Sequence, residues 1–349
     1  MAGRGTRRLA GGPGGSVGTV VWALTLAAVL FFLPVVTVGG NGLYQSGEEE
    51  PEATLPIDRV AVTTGARDKG KVVRLQMEDG TVQEMTMADY LWGVVAAEMP
   101  ASFEEEALKA QACAARTYTA VLQSTSEGKH PDADICADST CCQAYVERSQ
   151  AEARWGLNAQ SYGEKIDQAV AETDGLGILY GGQPIQALFF SSAPGKTVDA
   201  VEVWGNNVDY LKSVESPEGD EVPNYHSQVL LTADQVKETT LAAYPGTDLS
   251  GDPSGWFGTV TYGESGTVSS LVLGGVTLTG SQVRSLFALR SAAFTVSWDG
   301  SNFTFDVTGY GHGVGMSQYG ANAMAKEGKT FEEILTWYYT GTEVAFLWE

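Results

Sequence analysis

Cationic residues are scarce in this 349-residue chain, and so are the residues that most often bind metals or act as nucleophiles: 21 Lys and Arg face 43 Asp and Glu, with only 3 His and 4 Cys. The formal net charge is −22, and because Arg4, Arg7 and Arg8 are the only charged residues among the first 40, the remainder carries −25. Such a surface repels nucleic acid and anionic lipid. No cysteine precedes Cys113, which excludes a lipid-modified N-terminal cysteine. The glycine-rich stretch near the C-terminus contains no Gly-Lys-Ser/Thr and follows no βαβ unit, so it is no phosphate loop, and there is no βαβ rhythm or internal repeat along the chain. A hydrophobic content of 43% is ordinary for a packed core, in one large domain or two small ones.

Long apolar runs are also missing, except one. From Val17 to Val38 no charge interrupts 22 residues, a length that as a helix, at roughly 1.5 Å per residue, spans a hydrocarbon core of ~30 Å. The three arginines before it and Glu48-Glu49-Glu50 after it place the N-terminus in the cytoplasm by the positive-inside rule. A cleaved signal peptide is the competing reading. Pro34 and the lack of an Ala-x-Ala end before Gly39-Gly40 favour the anchor. The expected organisation is a basic tail (1–16), a transmembrane anchor (17–38), a Gly/Glu/Pro-rich linker (39–68) and an extracytoplasmic domain (69–349).

Within that domain the turn signals predict an α+β fold of mostly antiparallel strands and hairpins with several packed helices. Lys71–Met77 and Thr81–Met85 form a hairpin around Asp79-Gly80, and further hairpins turn at Gly181-Gly182, Gly263-Glu264-Ser265-Gly266, Gly274-Gly275 and Asp299-Gly300. Helices are expected over Ala88–Ala97, from Phe103 to about Gln123, over Ser281–Leu289, over Gln318–Lys326 and over Phe331–Tyr338. Ser102 and Glu105 read as a capping box for the second of these.

Two stretches carry chemistry. In Gly309-Tyr310-Gly311-His312-Gly313-Val314-Gly315-Met316-Ser317-Gln318-Tyr319-Gly320-Ala321, four glycines surround one His, and something must come close to that backbone. A plain turn between a strand and a helix is the bland alternative. In the other stretch, Ala96-Ala97-Glu98-Met99-Pro100, Glu98 ends an apolar helix, where a carboxyl meets little water and its pKa is expected to rise. Such a group donates a proton near neutral pH, as cleavage of a glycosidic bond requires.

These two stretches, with Ala107-Leu108-Lys109-Ala110-Gln111-Ala112 and Ala115-Arg116-Thr117-Tyr118 following the first, closely resemble the hallmarks of the stage II sporulation protein D and amidase-enhancer family. They bracket over 220 residues in the family's order. The resemblance implies a lytic transglycosylase acting on peptidoglycan strands already stripped of stem peptides by a partner amidase. Glu98 would serve as both acid and base, giving a 1,6-anhydro product. It also implies substrate contacts from Gln111, Arg116, Ser191, Ser192, Tyr210, Lys212, His312, Gln318 and Tyr319. Arg116, in particular, is expected to meet the lactyl carboxylates of the substrate, which an acidic domain must offset locally. Pro194 stands where relatives carry a glycine and restricts the Ser191-Ser192 loop. His312 either bonds a sugar hydroxyl, steers Glu98 or ties its loop to backbone carbonyls. Glu104, Glu105 and Glu106 read as a structural first turn.

His130, Cys136, Cys141 and Cys142 lie within 13 residues of a loop-like segment. Soft ligands packed that densely suggest Zn²⁺ in a structural role, and a disulfide between Cys136 and Cys141 or Cys142 is the alternative. The resemblance implies a zinc site at His130, Cys136 and Cys142, with Cys141 standing where a His is usual. Two other functions stay open: a non-catalytic glycan-binding enhancer of an amidase, and a peptidase built from Cys113 or Cys142 with His312. The expected setting is the cell membrane between mother cell and forespore, beside an amidase and a membrane scaffold, with no role for nucleic acid.

Overall fold

The computed structural model describes residues 65–124 and 129–348. The apolar run at 17–38 and most of the 39–68 linker lie outside the described residues. Among the described residues no helix is long and apolar enough to cross a membrane.

A hairpin opens the domain, β1 (Val72–Gln76) against β2 (Val82–Thr86), turning at Gly80 with φ +84°. Thr86 ends β2 and caps α1 (Met87–Glu98) by accepting from the Asp89 N–H. The next helix, α2 (Glu105–Ser124), is buried nearly all round from Ala107 to Thr117. It is therefore a central post and not an amphipathic surface helix. Ser102 does not cap it. The Glu104 N–H donates instead to Asn322 Oδ1 at 2.8 Å, from 218 residues away. Glu106, in the first turn of α2, accepts from the Phe331 N–H at 2.7 Å and so caps the last helix in return.

After β3 (Ile135–Cys136), which runs parallel to β1, come α3 (Arg148–Trp155) and α4 (Ala159–Glu172). The sequence reading named no helix in either place. β4 (Leu176–Tyr180) and β5 (Gln183–Pro184) then form the hairpin expected at Gly181-Gly182. β6 (Phe189–Phe190) and the short α5 (Ala200–Trp204) lead to an insertion.

That insertion is a lobe with its own core. β7 (His226–Thr232) pairs with β12 (Asn302–Thr308), which pairs in turn with β11 (Phe294–Trp298). A second sheet holds β8 (Phe257–Tyr262), β9 (Val268–Leu273) and β10 (Val276–Leu278). Helices α6 (Ala233–Ala243) and α7 (Gly280–Leu286) each carry a threonine-glutamine capping box. The lobe's entry and exit are tied where the Gly309 N–H donates to Tyr225 O at 2.8 Å. Beyond it, β13 (Met316–Ser317) runs parallel to β6, and α8 (Gln318–Lys326), α9 (Phe331–Tyr338) and β14 (Glu343–Phe346), antiparallel to β4, complete the first core.

The four glycines of the 309–315 segment are explained by the chain itself. All have positive φ, and each faces the segment 188–198 where a side chain would stand. An added Cβ would lie 2.7 Å from Ser192 O at Gly309, 2.6 Å from the Phe190 side chain at Gly311, 2.6 Å from Val198 at Gly313 and 2.0 Å from Leu188 O at Gly315. What comes close to this backbone is the protein's own strand.

Candidate active site

Glu98 closes α1, and two other segments converge on it. The Ala144 N–H donates to its Oε1 at 2.7 Å, and Gln318 Nε2, from the first turn of α8, donates to its Oε2 at 3.1 Å. Gln318 Nε2 also reaches Gln111 Oε1 of α2 at 3.5 Å. Gln111 is fully buried, and its own Nε2 has no acceptor among the described residues. Desolvation pushes the Glu98 carboxyl above the usual carboxylate range, and the two neutral donors only partly offset this. Among the described residues no cation pairs with it. Three expected residues, Glu98, Gln111 and Gln318, are thus one group.

The approach of Ala144 depends on Gly93 in α1. A Cβ there would sit 2.2 Å from the Tyr145 ring and 2.8 Å from Val146 O. The same loop is fixed by Gln143, buried, whose Nε2 donates to Tyr90 Oη at 2.9 Å and Thr119 Oγ1 at 3.2 Å. Immediately before it stand Cys141 and Cys142. The ligand atoms of His130, Cys136, Cys141 and Cys142 all lie within 4.8 Å of one another. His130 Nε2 is 3.4 Å from Cys142 Sγ and 3.7 Å from Cys141 Sγ, and the sulfurs of Cys141 and Cys142 are 3.9 Å apart. A tetrahedral zinc site, with Zn–S about 2.3 Å and Zn–N about 2.0–2.1 Å, has edges of about 3.6–3.8 Å. The edges among His130, Cys141 and Cys142 are close to those dimensions, Cys136 Sγ lies within 4.8 Å of each, and all four cysteines of the chain are free thiols.

Arg116 is placed otherwise than expected. It is fully buried, with Nε and Nη2 on Asp68 Oδ2 at 3.1 and 2.9 Å and Nη1 on Leu176 O at 3.0 Å. It pins the start of the domain to α2 and faces no groove. Asp68, expected at the end of the linker, is 2% exposed and belongs to the core. Lys109 is held by Glu105, Glu106 and Glu172, the first two of which are structural as expected.

His312 takes the blandest of its readings. Its Nε2 donates to Phe189 O at 3.1 Å, and its Nδ1 accepts the Val314 N–H at 3.2 Å, so a neutral ring ties its loop to backbone. Burial, aided by the charge of Arg284, lowers its pKa to about 4. With both ring nitrogens engaged and Cys113 buried, its thiol pushed up to about 12 by desolvation, a Cys-His peptidase has no geometry here.

Ser191 and Ser192 act through their backbones: Ser191 O accepts the Tyr319 N–H, and Ser192 pairs in both directions with Tyr310. The Tyr319 ring meets Phe103 edge-on at 4.9 Å. Tyr210 accepts the Gln186 N–H at its hydroxyl and leans on Tyr180, while Lys212 bonds Asn207 and pairs with Asp199 at 3.4 Å. No contact joins Tyr210 or Lys212 to the Glu98 group.

One buried carboxylate escaped the sequence reading. Glu218, 4% exposed, accepts from the Ala193 N–H at 2.6 Å, from Ser216 Oγ at 2.6 Å and from Ser317 Oγ. Ser317 in turn caps α8 through the Gly320 N–H. Glu218 therefore fixes the helix start from which Gln318 reaches Glu98. Its neighbourhood, Glu215-Ser216-Pro217-Glu218-Gly219-Asp220-Glu221, reads as an exposed acidic loop and offered no signal.

Comparison with known proteins places this site in context. The family model described as Stage II sporulation protein matches residues 76–180, which include Glu98 and the thiolate loop. Stage II sporulation protein D of Bacillus subtilis (strain 168) is 35% identical over 330 residues, covering 92% of this chain and 93% of the relative. The protein of that description from Bacillus amyloliquefaciens is 37% identical over 324 residues, 92% of each. A protein of Bacillus subtilis (strain 168) described as an amidase enhancer is 30% identical over 310 residues, spanning 72% of this chain and 40% of the relative.

Proposed function

The chain belongs to the stage II sporulation protein D family, and we propose that it is a lytic transglycosylase cleaving peptidoglycan strands stripped of stem peptides, at the bond from N-acetylmuramic acid to N-acetylglucosamine. The observation that carries this reading is Glu98: a desolvated carboxyl with a raised pKa, gripped by two neutral donors that fix its position without the depression a cation would cause.

Protonated Glu98 gives its proton to the glycosidic oxygen as the bond to the anomeric carbon breaks and oxocarbenium character develops. The resulting carboxylate then accepts the proton of the muramic acid 6-hydroxyl, whose oxygen bonds to the anomeric carbon. The products are a 1,6-anhydro end and a free 4-hydroxyl, with no water consumed. Hydrolysis would call for a second carboxylate. Among the described residues, the partners of Glu98 are amides.

The thiolate loop supports this group mechanically. We assign Zn²⁺ to His130, Cys136, Cys141 and Cys142, with Cys141 as the fourth ligand, on the strength of the three edges above and the proximity of Cys136 to them. Four protein ligands make the metal structural. Its effect would pass through Gln143, fixed by Tyr90 and Thr119, to Ala144, whose N–H holds Glu98. The protein would be anchored through residues 17–38 with its domain between mother cell and forespore membranes, working beside a cell-wall amidase and the membrane scaffold of engulfment.

The likeness to an amidase enhancer supports a second reading, a glycan-binding protein that recruits or stimulates an amidase without cleaving. Mass spectrometry of amidase-stripped strands separates the two. Anhydro-ended fragments formed by the native chain and absent with Glu98→Gln support the lyase. Intact strands, with faster peptide release when an amidase is added, support the enhancer.

A further inference from the structure

With Arg116 spent on Asp68, the carboxylates of a stripped strand need another cation. Two arginines lie where the inserted lobe rejoins the 309–321 segment. α7 ends in a turn through Ala288, a non-glycine residue at φ 52°, and the chain leaves that turn at Arg290. Arg284 Nε donates to Arg290 O at 3.1 Å, and the Gly311 N–H donates to the same oxygen at 2.9 Å. The Arg290 guanidinium lies 4.0 Å from the centre of the Tyr310 ring, which is 36% exposed.

Three arginines elsewhere among the described residues meet acids, Arg74 with Asp134, Arg116 with Asp68 and Arg148 with Asp167, while Arg67 lies over the Phe346 ring and Arg154 is exposed. Neither Arg284 nor Arg290 forms an ion pair with any described carboxylate. Arg290 Nε is buried without any acceptor among the described residues. In a chain with 43 acids to 21 bases, two partly buried guanidinium groups lacking a carboxylate are out of keeping with the rule that buried charge is paired. Their environment is uncompensated: burial lowers the pKa of Arg284, and its charge lowers that of His312.

A chain of contacts links this pair to the reacting group. Ser191 O accepts the Tyr319 N–H, and the adjoining Ser192 pairs with Tyr310, so one short strand holds the arginine's aromatic shelf beside the first turn of α8. The charge of Arg290 is felt at the Tyr319 phenol. Tyr319 follows Gln318, which touches Glu98.

We propose that Arg290, shelved on Tyr310 and backed by Arg284, binds the free lactyl carboxylate of a muramic acid residue in the glycan strand. The inference rests on the glycan-strand reading of the site and supplies its specificity. In a strand that keeps its stem peptides, that carboxyl is a neutral amide. Release of the peptide by an amidase creates the anion, and the guanidinium reads it as a charge-assisted, two-pronged contact. Stripped strands are then preferred because the preceding reaction makes the group that Arg290 recognises.

The test is a binding titration with the full-length chain carrying Glu98→Gln, so that cleavage does not interfere. The probes are stripped glycan oligosaccharides with free lactyl carboxylates, and the same oligosaccharides with those carboxylates converted to amides. The free-acid probe is expected to bind about tenfold or more tightly than the amide. Adding Arg290→Gln abolishes that preference while leaving affinity for the amide probe unchanged, and Arg290→Lys retains part of it. An acid-to-amide ratio that survives Arg290→Gln, or a chain without preference to begin with, overturns the proposal. Cleavage by the native chain is scored separately. Loss of the preference with Arg290→Gln supports the carboxylate site even where no strand is cut, and an unaltered ratio refutes it even where strands are cut.

Discussion

The core around α2 sets small residues on that helix, among them Ala107, Ala110, Ala112, Ala114 and Ala115, against larger ones such as Trp92, Tyr338 and Tyr339, and it encloses hydrogen-bonded polar groups: Arg116 with Asp68, Gln143 with Tyr90 and Thr119, Glu218 with Ser216 and Ser317. The core of the inserted lobe is aromatic and aliphatic. Phe257, Phe287 and Phe294 surround Phe305 at centroid distances of 5.7, 5.1 and 5.8 Å, and Val236, Leu271 and Leu273 fill the remainder. The first core also fixes the positions of amide and carboxyl groups, which is what a proton-transferring site needs. The second behaves as an ordinary hydrophobic core and contributes cations only at its seam.

This contrast can be broken at its centre. Arg116→Gln leaves Asp68 as an uncompensated buried charge and is expected to destabilise the domain by about 3–5 kcal/mol in denaturant melts. Replacing both partners, Arg116→Met with Asp68→Leu, should recover most of that loss. If Arg116→Gln instead lowers activity at unchanged stability, the residue meets substrate after all. In the aromatic core, Phe305→Ala should cost a similar ~3–5 kcal/mol through the cavity it leaves, without a polar group to rescue.

A smaller effect separates the two sites by pH. His312 has a folded pKa of about 4 against 6.5 for the free side chain, so the unfolded chain binds more protons between those values and stability falls as pH drops through that window, by up to about 3 kcal/mol. Glu98 acts with the opposite sign. Its raised pKa means the folded state resists ionisation, so the penalty is absent below the ordinary glutamate value of 4.5 and grows as pH rises through the folded pKa. Glu98→Gln should therefore melt slightly higher than the native chain at neutral pH and equally at acidic pH. A lower melting temperature at pH 7 would mean the carboxylate is a structural anchor.

Metal removal probes the link between loop and site. A strong chelator, or Cys141→Ser, should release zinc as measured by elemental analysis and loosen the 143–146 segment in hydrogen exchange, with the Ala144 amide among the first to lose protection. Unchanged protection at Ala144 would uncouple the loop from Glu98.

Much of this was written locally in the chain. The hairpins at Asp79-Gly80, Gly181-Gly182, Gly274-Gly275 and Asp299-Gly300 are all present, because a turn that needs positive φ announces itself by its glycine. The limits of α8 and α9 coincide with those expected, and Glu98, Gln111 and Gln318, named from two separate motifs, are brought into one group by the fold. The failures share a cause, a partner far away in sequence. Arg116 finds Asp68 48 residues back, and Glu104 is capped by Asn322, where Ser102 had looked sufficient. The glycines of 309–315 serve a strand more than a hundred residues earlier. Helix α3 buries only Ala151, so it carried little apolar periodicity to read. Arg290 gave no signal at all, since being unpaired is a property of the fold.

The most direct test of the central claim is mass spectrometry of amidase-stripped glycan strands incubated with the native chain beside Glu98→Gln. The account predicts 1,6-anhydro-ended fragments from the native chain and a loss of about 10²–10⁴-fold in their rate of formation with the variant. Reducing-end fragments, or anhydro fragments formed equally well by Glu98→Gln, would contradict it.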